Sequence, residues 1–410
     1  ELSGSAAGHR RRCSPRLCPA QGLRIRAGSV LAPDHQAGQG HGSGRHWLRA
    51  ATVLTLFLTF DLVLFGAFTR LSDSGLGCPD WPGCYGSASP VGAKIEISAA
   101  QDSMPGGPVT HGKAWVEMVH RYMATGVGAL ILVLTVASWR MRLRSAPGLK
   151  TPNPWWPTIT LIWVCVQGAF GALTVTMKLF PAIVTMHLLG GLLLLVLLTA
   201  QAASQARTLD VDAGPMAQTD RVTRLTLTLA GVLLAVQLTL GGWVSTNYAV
   251  LACTDFPTCQ GSWWPDMAFA QGFQIWRELG MTADGSHVSF AALTAIHYVH
   301  RLMAYVVLLV LAVLAWRLGR SPRLRPVART IGALASLQLA TGLGNVVLDW
   351  PLIAALLHTG GAAALVISLT WVYCSSQADE GLLSSGLAAQ SPSQALTMPN
   401  DAAQSMKINR

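Results

Sequence analysis

Eight stretches of this chain are long and apolar enough to cross a lipid bilayer, and that constrains its fold more than any other feature. A spanning helix needs about 20 mostly apolar residues, and segments near 47–69, 114–139, 155–177, 181–203, 222–244, 291–316, 327–348 and 351–376 meet that requirement. In lipid every backbone polar group must be satisfied internally, so the runs predict helices. The charge agrees: 12% of the 410 residues are charged, where a soluble domain carries about 25%. The net charge of +10 does not gather into a nucleic-acid-binding patch. It falls in short clusters between the apolar runs: Arg140, Arg142, Arg144 and Lys150 in one loop, and Arg317, Arg320, Arg323, Arg325 and Arg329 in another. The loops at 70–112 and 245–290 hold few basic residues. By the positive-inside rule both termini and the basic loops are cytoplasmic and the two long loops face outward, which in a bacterial inner membrane is the oxidising side.

The same spans organise the chain. Residues 1–46 are rich in Gly, Arg and Ser without periodicity and read as a disordered cytoplasmic tail; they lack the apolar region of a cleaved signal peptide. A four-helix half over 47–203, a cytoplasmic linker over 204–221 and a second four-helix half over 222–376 follow, with a disordered tail over 377–410. Tight turns at Phe180-Pro181 and Asp349-Trp350-Pro351 join the last two helices of each half.

The halves repeat one another. Gly66-Ala67-Phe68 leads to Cys78-Pro79-Asp80-Trp81-Pro82-Gly83-Cys84, and Gly241-Gly242-Trp243 leads, at the same offset, to Cys253-Thr254-Asp255-Phe256-Pro257-Thr258-Cys259. His120-Arg121-Tyr122-Met123 matches His300-Arg301-Leu302-Met303. Gln167 precedes His187 by the interval that separates Gln338 from His358. Matching blocks in one order predict an all-α membrane protein of two pseudo-symmetric four-helix bundles.

Four intramembrane histidines thus fall in a two-by-two pattern: His120 and His187, then His300 and His358. Ionisable residues in spans mark function by default, and facing histidines on bundle helices are a way to ligate heme iron. A zinc or copper site would recruit carboxylate or thiolate partners beside the imidazoles. The halves diverge three residues earlier, where Glu117 stands against His297. Residues i and i+3 share a helix face, about 4.5 Å apart along the axis. A carboxyl therefore points toward one pocket and an imidazole toward the other. Glu117 suits proton relay or stabilisation of a developing cation, or else an ion pair with Arg121 or Arg70. Arg121 and Arg301 suit heme propionates, or else interfacial snorkelling. The cysteine pairs Cys78–Cys84 and Cys253–Cys259 are spaced to close small loops, as structural staples or as redox-active pairs.

Thr69 to Cys84, the Glu117-x-x-His120-Arg121 segment, the Gln167-to-His187 block and their second-half counterparts resemble the heme A synthase family over roughly 47–376. That resemblance implies an eight-helix oxidoreductase that converts the C8 methyl of heme O to the formyl group of heme A. It implies heme O as substrate at His120, His187, Arg121 and Glu117, and a heme b cofactor on His300 and His358. A role for His297 does not carry over from it, and His297 and Arg301 stand as further possible site residues. The cysteine pairs resemble the disulfide-bearing members of the family. Implied partners are heme O synthase, cytochrome oxidase assembly factors and a second copy of the chain, with an unnamed electron donor. Rival readings are a membrane di-heme b-type electron carrier, to which Glu117 and the cysteine loops fit less well, and a transporter with repeated halves.

Overall fold

The computed structural model describes residues 36–145, 151–209 and 219–389. Those residues are helical with no strand, and eight helices among them are long and apolar enough to cross a membrane. This is a multi-pass membrane protein. The spanning helices are α1 (Gln36–Leu71), α3 (His111–Arg144), α4 (Trp155–Thr176), α5 (Pro181–Leu209), α6 (Arg221–Thr246), α8 (Phe290–Gly319), α9 (Arg325–Val347) and α10 (Leu352–Ala389). Short helices α2 (Lys94–Ser103) and α7 (Phe269–Gly272) lie in the two long loops. The stretches predicted as tails, and the middle of the predicted linker, lie largely outside the described residues.

Local chemistry sets the helix ends. Thr110 caps α3 by accepting from the Lys113 amide at 3.2 Å, and Ser289 caps α8 by accepting from Ala292 at 3.2 Å, which satisfies donors that a helix start leaves orphaned. Pro326 opens α9, where its missing N–H costs nothing. Within the spans, threonines such as Thr52, Thr59 and Thr199 return their hydroxyls to the carbonyl four residues back, which satisfies those donors within their own helix. The turn before α5 holds Lys178 and Leu179 at φ of 51° and 59°, and the turn before α10 holds Asp349 and Trp350 at 54° and 60°.

Packing is apolar throughout. Val127 and Ile131 of α3 meet Leu194 and Leu198 of α5, with Leu56 and Leu62 of α1 against them. Leu227 and Leu234 of α6, Leu311 and Leu314 of α8, Ile331 of α9 and Leu365 of α10 form a second core. Between these, Leu192 and Leu195 of α5 close on Ala363 of α10. Leu54, Phe57 and Leu309 point outward with half or more of their surface bare. Bare leucines suit a lipid solvent, in which close packing rather than water exclusion holds helices together.

Eight passes place both long loops and both tight turns at one end of the bundle. In the first loop the bonded pair Cys78–Cys84 packs with Ile97 of α2 and with Ala114 and Met118 of α3. In the second, Cys253–Cys259 packs with Tyr298 of α8 and Met267. The loops share their local wiring. Asp80 accepts the amides of Tyr85 and Gly86 at 2.6 and 2.7 Å, and Asp255 accepts those of Gln260 and Gly261 at 2.7 and 3.0 Å.

Candidate functional site

Each histidine of the two-by-two pattern lies where a helix runs past a glycine. A Cβ on Gly66 of α1 would stand 2.9 Å from Cε1 of His120, and one on Gly241 of α6 would stand 3.1 Å from Cε1 of His300. Only a glycine lets the helix backbone approach the ring so closely. Gly171 of α4 faces His187 and Gly342 of α9 faces His358 with more room, a Cβ there standing 3.3 and 3.4 Å from the ring. His120 lies near His187, and His300 near His358. The chain thus brings together two imidazole pairs, each from two helices of one half.

The glutamine blocks reach the backbone of two of the histidines, and Gln167 also meets a ring. Gln167 Nε2 donates to the His187 carbonyl at 2.5 Å and meets its Nδ1 at 3.1 Å, and Gln338 Nε2 donates to the His358 carbonyl at 2.9 Å. Sequence reasoning passes over two further polar partners, Gln237 and Thr341. Gln237 Nε2 meets His300 Nδ1 at 3.1 Å, and Thr341 Oγ1 meets His358 Nδ1 at 3.0 Å. The available signal was helical spacing: Gln237 lies one turn before Gly241, and Thr341 directly precedes Gly342.

Glu117 is 4% exposed and fully engaged. One carboxylate oxygen accepts the Cys78 amide at 2.8 Å and the other accepts Arg121 Nη2 at 2.5 Å. Of the readings open in the sequence, the ion pair with Arg121 is therefore present, and Arg70 is directed elsewhere. Arg121 Nη1 continues into the loop, donating to the carbonyls of Pro82 at 3.1 Å and Gly83 at 2.5 Å. Arg301 does likewise, donating to the carbonyls of Asp255, Thr258 and Cys253 at 2.9, 2.9 and 3.0 Å. Both guanidiniums are thus turned to loop carbonyls rather than left free. His297, buried at the place of Glu117, lies against the backbone of Ala249 and Val250.

Heme fits this donor set. A porphyrin supplies four nitrogens of its own, so two histidines per pocket complete the iron. Among the described residues no group of three or more His, Cys, Asp or Glu side chains is placed to hold a metal ion, as a zinc or copper site would require. The Nδ1 contacts of Gln237 and Thr341 are of the kind that orients a ligating imidazole.

A family model described as cytochrome oxidase assembly protein, COX15-CtaA, matches residues 49–370. The chain belongs to the COX15-CtaA family. The match takes in six spans whole and most of the first and last, both cysteine loops and the four histidines. The family's similarity extends to curated relatives. A protein of Shewanella oneidensis named heme A synthase is 38% identical over 321 residues, covering 78% of this chain and 93% of its own length. Proteins of the same name from Rhizorhabdus wittichii and Halalkalibacterium halodurans are 26% and 25% identical over 353 and 319 residues, covering 80% and 75% of this chain and 92% and 88% of their own.

Proposed function

We propose that the chain is a heme A synthase, an oxidoreductase that turns the C8 methyl of heme O into the formyl group of heme A by successive hydroxylations. The observation that carries this reading is that one turn before the helix histidine one half has a buried carboxylate, Glu117, and the other a buried imidazole, His297, in a chain of the COX15-CtaA family. A pure electron carrier needs no such difference.

In this reading heme O is the substrate of the first half, at His120 and His187, and heme b is resident in the second half, on His300 and His358. Heme b, when bound, supplies electron transfer. Two hydroxylations, each a two-electron oxidation that inserts one oxygen atom from an external oxidant, would give a geminal diol, which loses water to the aldehyde. Glu117 is the charged group at hand to steady a developing cation or to move a proton. Arg121 fixes that carboxylate and ties it to the Cys78–Cys84 loop, and Arg301 ties down the second loop. Both disulfides staple their loops over the pockets. The basic loops and both termini lie in the cytoplasm and the cysteine loops in the oxidising space outside a bacterial inner membrane. Heme O synthase and cytochrome oxidase assembly factors are partners by the same reading.

The test is heme extraction from purified protein, with chromatography and mass spectrometry, after expression with and without a source of heme O. Heme A or its hydroxylated precursor is expected only when heme O is supplied. Heme b alone under both conditions, from folded protein, would favour the di-heme carrier.

A further inference from the structure

The eight spans contain two acidic residues, Glu117 and Asp61. Glu117 is held by Arg121 and the Cys78 amide. Asp61 has no such company: among the described residues it makes no hydrogen bond and no ion pair. It lies on α1 about 15 Å along the helix axis from Leu71, where the span ends, too deep for its short side chain to reach the headgroups. Neighbours set its direction. Gly66, which faces His120, and the buried Thr52, Thr55 and Thr59 mark the inner face of α1. Asp61 stands on the other side, in line with Trp47, Ala50, Leu54 and Phe57 at alternating steps of three and four residues. Those four are exposed, Phe57 with 59% of its surface bare, and Asp61 is half-buried.

The second half carries the same stripe without the acid. At the repeat's offset, that of Cys78 to Cys253, α6 has Val222, Leu225, Leu229, Val232 and Val236, all exposed. Val236 takes the place of Asp61. A valine turned to lipid is what hydrocarbon favours. A carboxyl turned to lipid is costly, and ionisable residues within spans otherwise face a bundle interior or pair with one another. Steps of three and four keep a stripe on one helix face, where it can meet a second helix along its length, and a single polar group in such a stripe fixes the register of the pair. Hydrogen bonds between polar side chains are part of what joins helices in lipid.

We propose that α1 pairs with α1 of a second copy of the chain, carboxyl to carboxyl at Asp61. Hydrocarbon offers Asp61 no donor, and no described residue of its own chain supplies one. A carboxyl that carries its proton both donates and accepts, so two copies of Asp61 about a two-fold axis satisfy each other with no further chemistry. The inner face of α1, with Gly66 against His120 and Phe65 parallel to its ring, is left as it stands. Pairing through Asp61 is independent of the chemistry proposed for the heme sites.

The experiment uses the full chain, purified with its hemes and reconstituted into phosphatidylcholine–phosphatidylglycerol vesicles over a range of protein-to-lipid ratios. Energy transfer between copies labelled at Leu143→Cys, in a background lacking the native free thiols, reads self-association. Asp61→Val is expected to weaken it on the order of tenfold. Asp61→Asn, whose amide also donates and accepts, is expected to stay near the parent. In the same background without the label site, Phe57→Cys should form a disulfide between copies on oxidation, and its counterpart Val232→Cys should not. Heme content, expected to be unchanged in each variant, reports an intact fold. Parental association in Asp61→Val, or cross-linking at Val232→Cys as readily as at Phe57→Cys, would overturn the proposal. So would a parent that stays monomeric at every ratio, which would leave the stripe to lipid or to another protein's helix. Should Asp61→Val lose its heme, the two cross-links decide.

Discussion

Glu117 is the residue on which loop and pocket both depend. Replacing it with Ala takes from the buried Cys78 amide its acceptor and from Arg121 one of its three, a loss on the order of 2 kcal/mol, to be read as a lower unfolding temperature together with loss of heme A formation. Glu117→Gln keeps an oxygen for the Cys78 amide, so it is expected to fold close to the parent's stability. Its heme A yield should nevertheless fall on the order of 100-fold, the scale of a lost acid–base group. A Gln variant that converts heme O at the parental rate would reduce Glu117 to a structural part. In the second loop, the hydroxyl of Thr258 and the amides of Gly261 and Gln260 hold the Asp255 carboxyl down to about 2 from its ordinary 3.8. A depressed folded pKa contributes stability above the unfolded value and loses it as pH falls through the folded one. Amide protection at Gln260 and Gly261, corrected for intrinsic exchange, should therefore be level from pH 7 to about 4 and decline toward pH 2, and Asp255→Asn should abolish that dependence.

Among elements, the loops are where reading the sequence reaches its limit. The eight spans are legible because hydropathy is a property of contiguous residues, and the boundaries differ from the predicted ones by a few residues at each end. The histidine pairs are legible because the repeat marks them twice. Helix α2 is not, since its mean composition is polar and its one buried residue, Ile97, has meaning only against Cys78 and Met118. Nor could spacing alone say that Arg121 reaches back across 38 residues to the Gly83 carbonyl. Gln237 went unread for the same reason, its partner lying 63 residues on. What the loops contribute can be measured. Each disulfide closes a loop of 6 residues' separation, for which chain entropy gives roughly 2 kcal/mol. Reduction, or Cys84→Ser, should lower thermal stability accordingly. Loss of the first bond is expected to impair heme A formation more than loss of the second, because Cys78 donates its amide to Glu117, the carboxylate to which the proposed function gives the chemistry. Equal effects from Cys84→Ser and Cys259→Ser on conversion would contradict this.

For the molecule as a whole, orientation is the simplest property to check. In a background lacking the native free thiols, a cysteine at Ala283 of the second loop should react with a membrane-impermeant maleimide added to intact spheroplasts, and one at the exposed Leu143 should react only after lysis. The reverse pattern would invert the topology. The two long loops also meet each other. Arg70 donates to the Ser245 carbonyl at 2.7 Å and lies 3.9 Å over the Tyr248 ring, whose hydroxyl donates to Asp73 at 2.6 Å. Arg70 and Ser245 are 175 residues apart, and so are Asp73 and Tyr248, the same spacing that separates Cys78 from Cys253. Equivalent positions thus face one another across the midline, as they would in a two-fold dimer. In a dimer of identical first halves each arginine would confront its own copy and each aspartate another aspartate. Joining the halves in a single chain lets one side carry the charge and the other the ring and the carbonyl, a complementarity that a self-paired subunit could not attain.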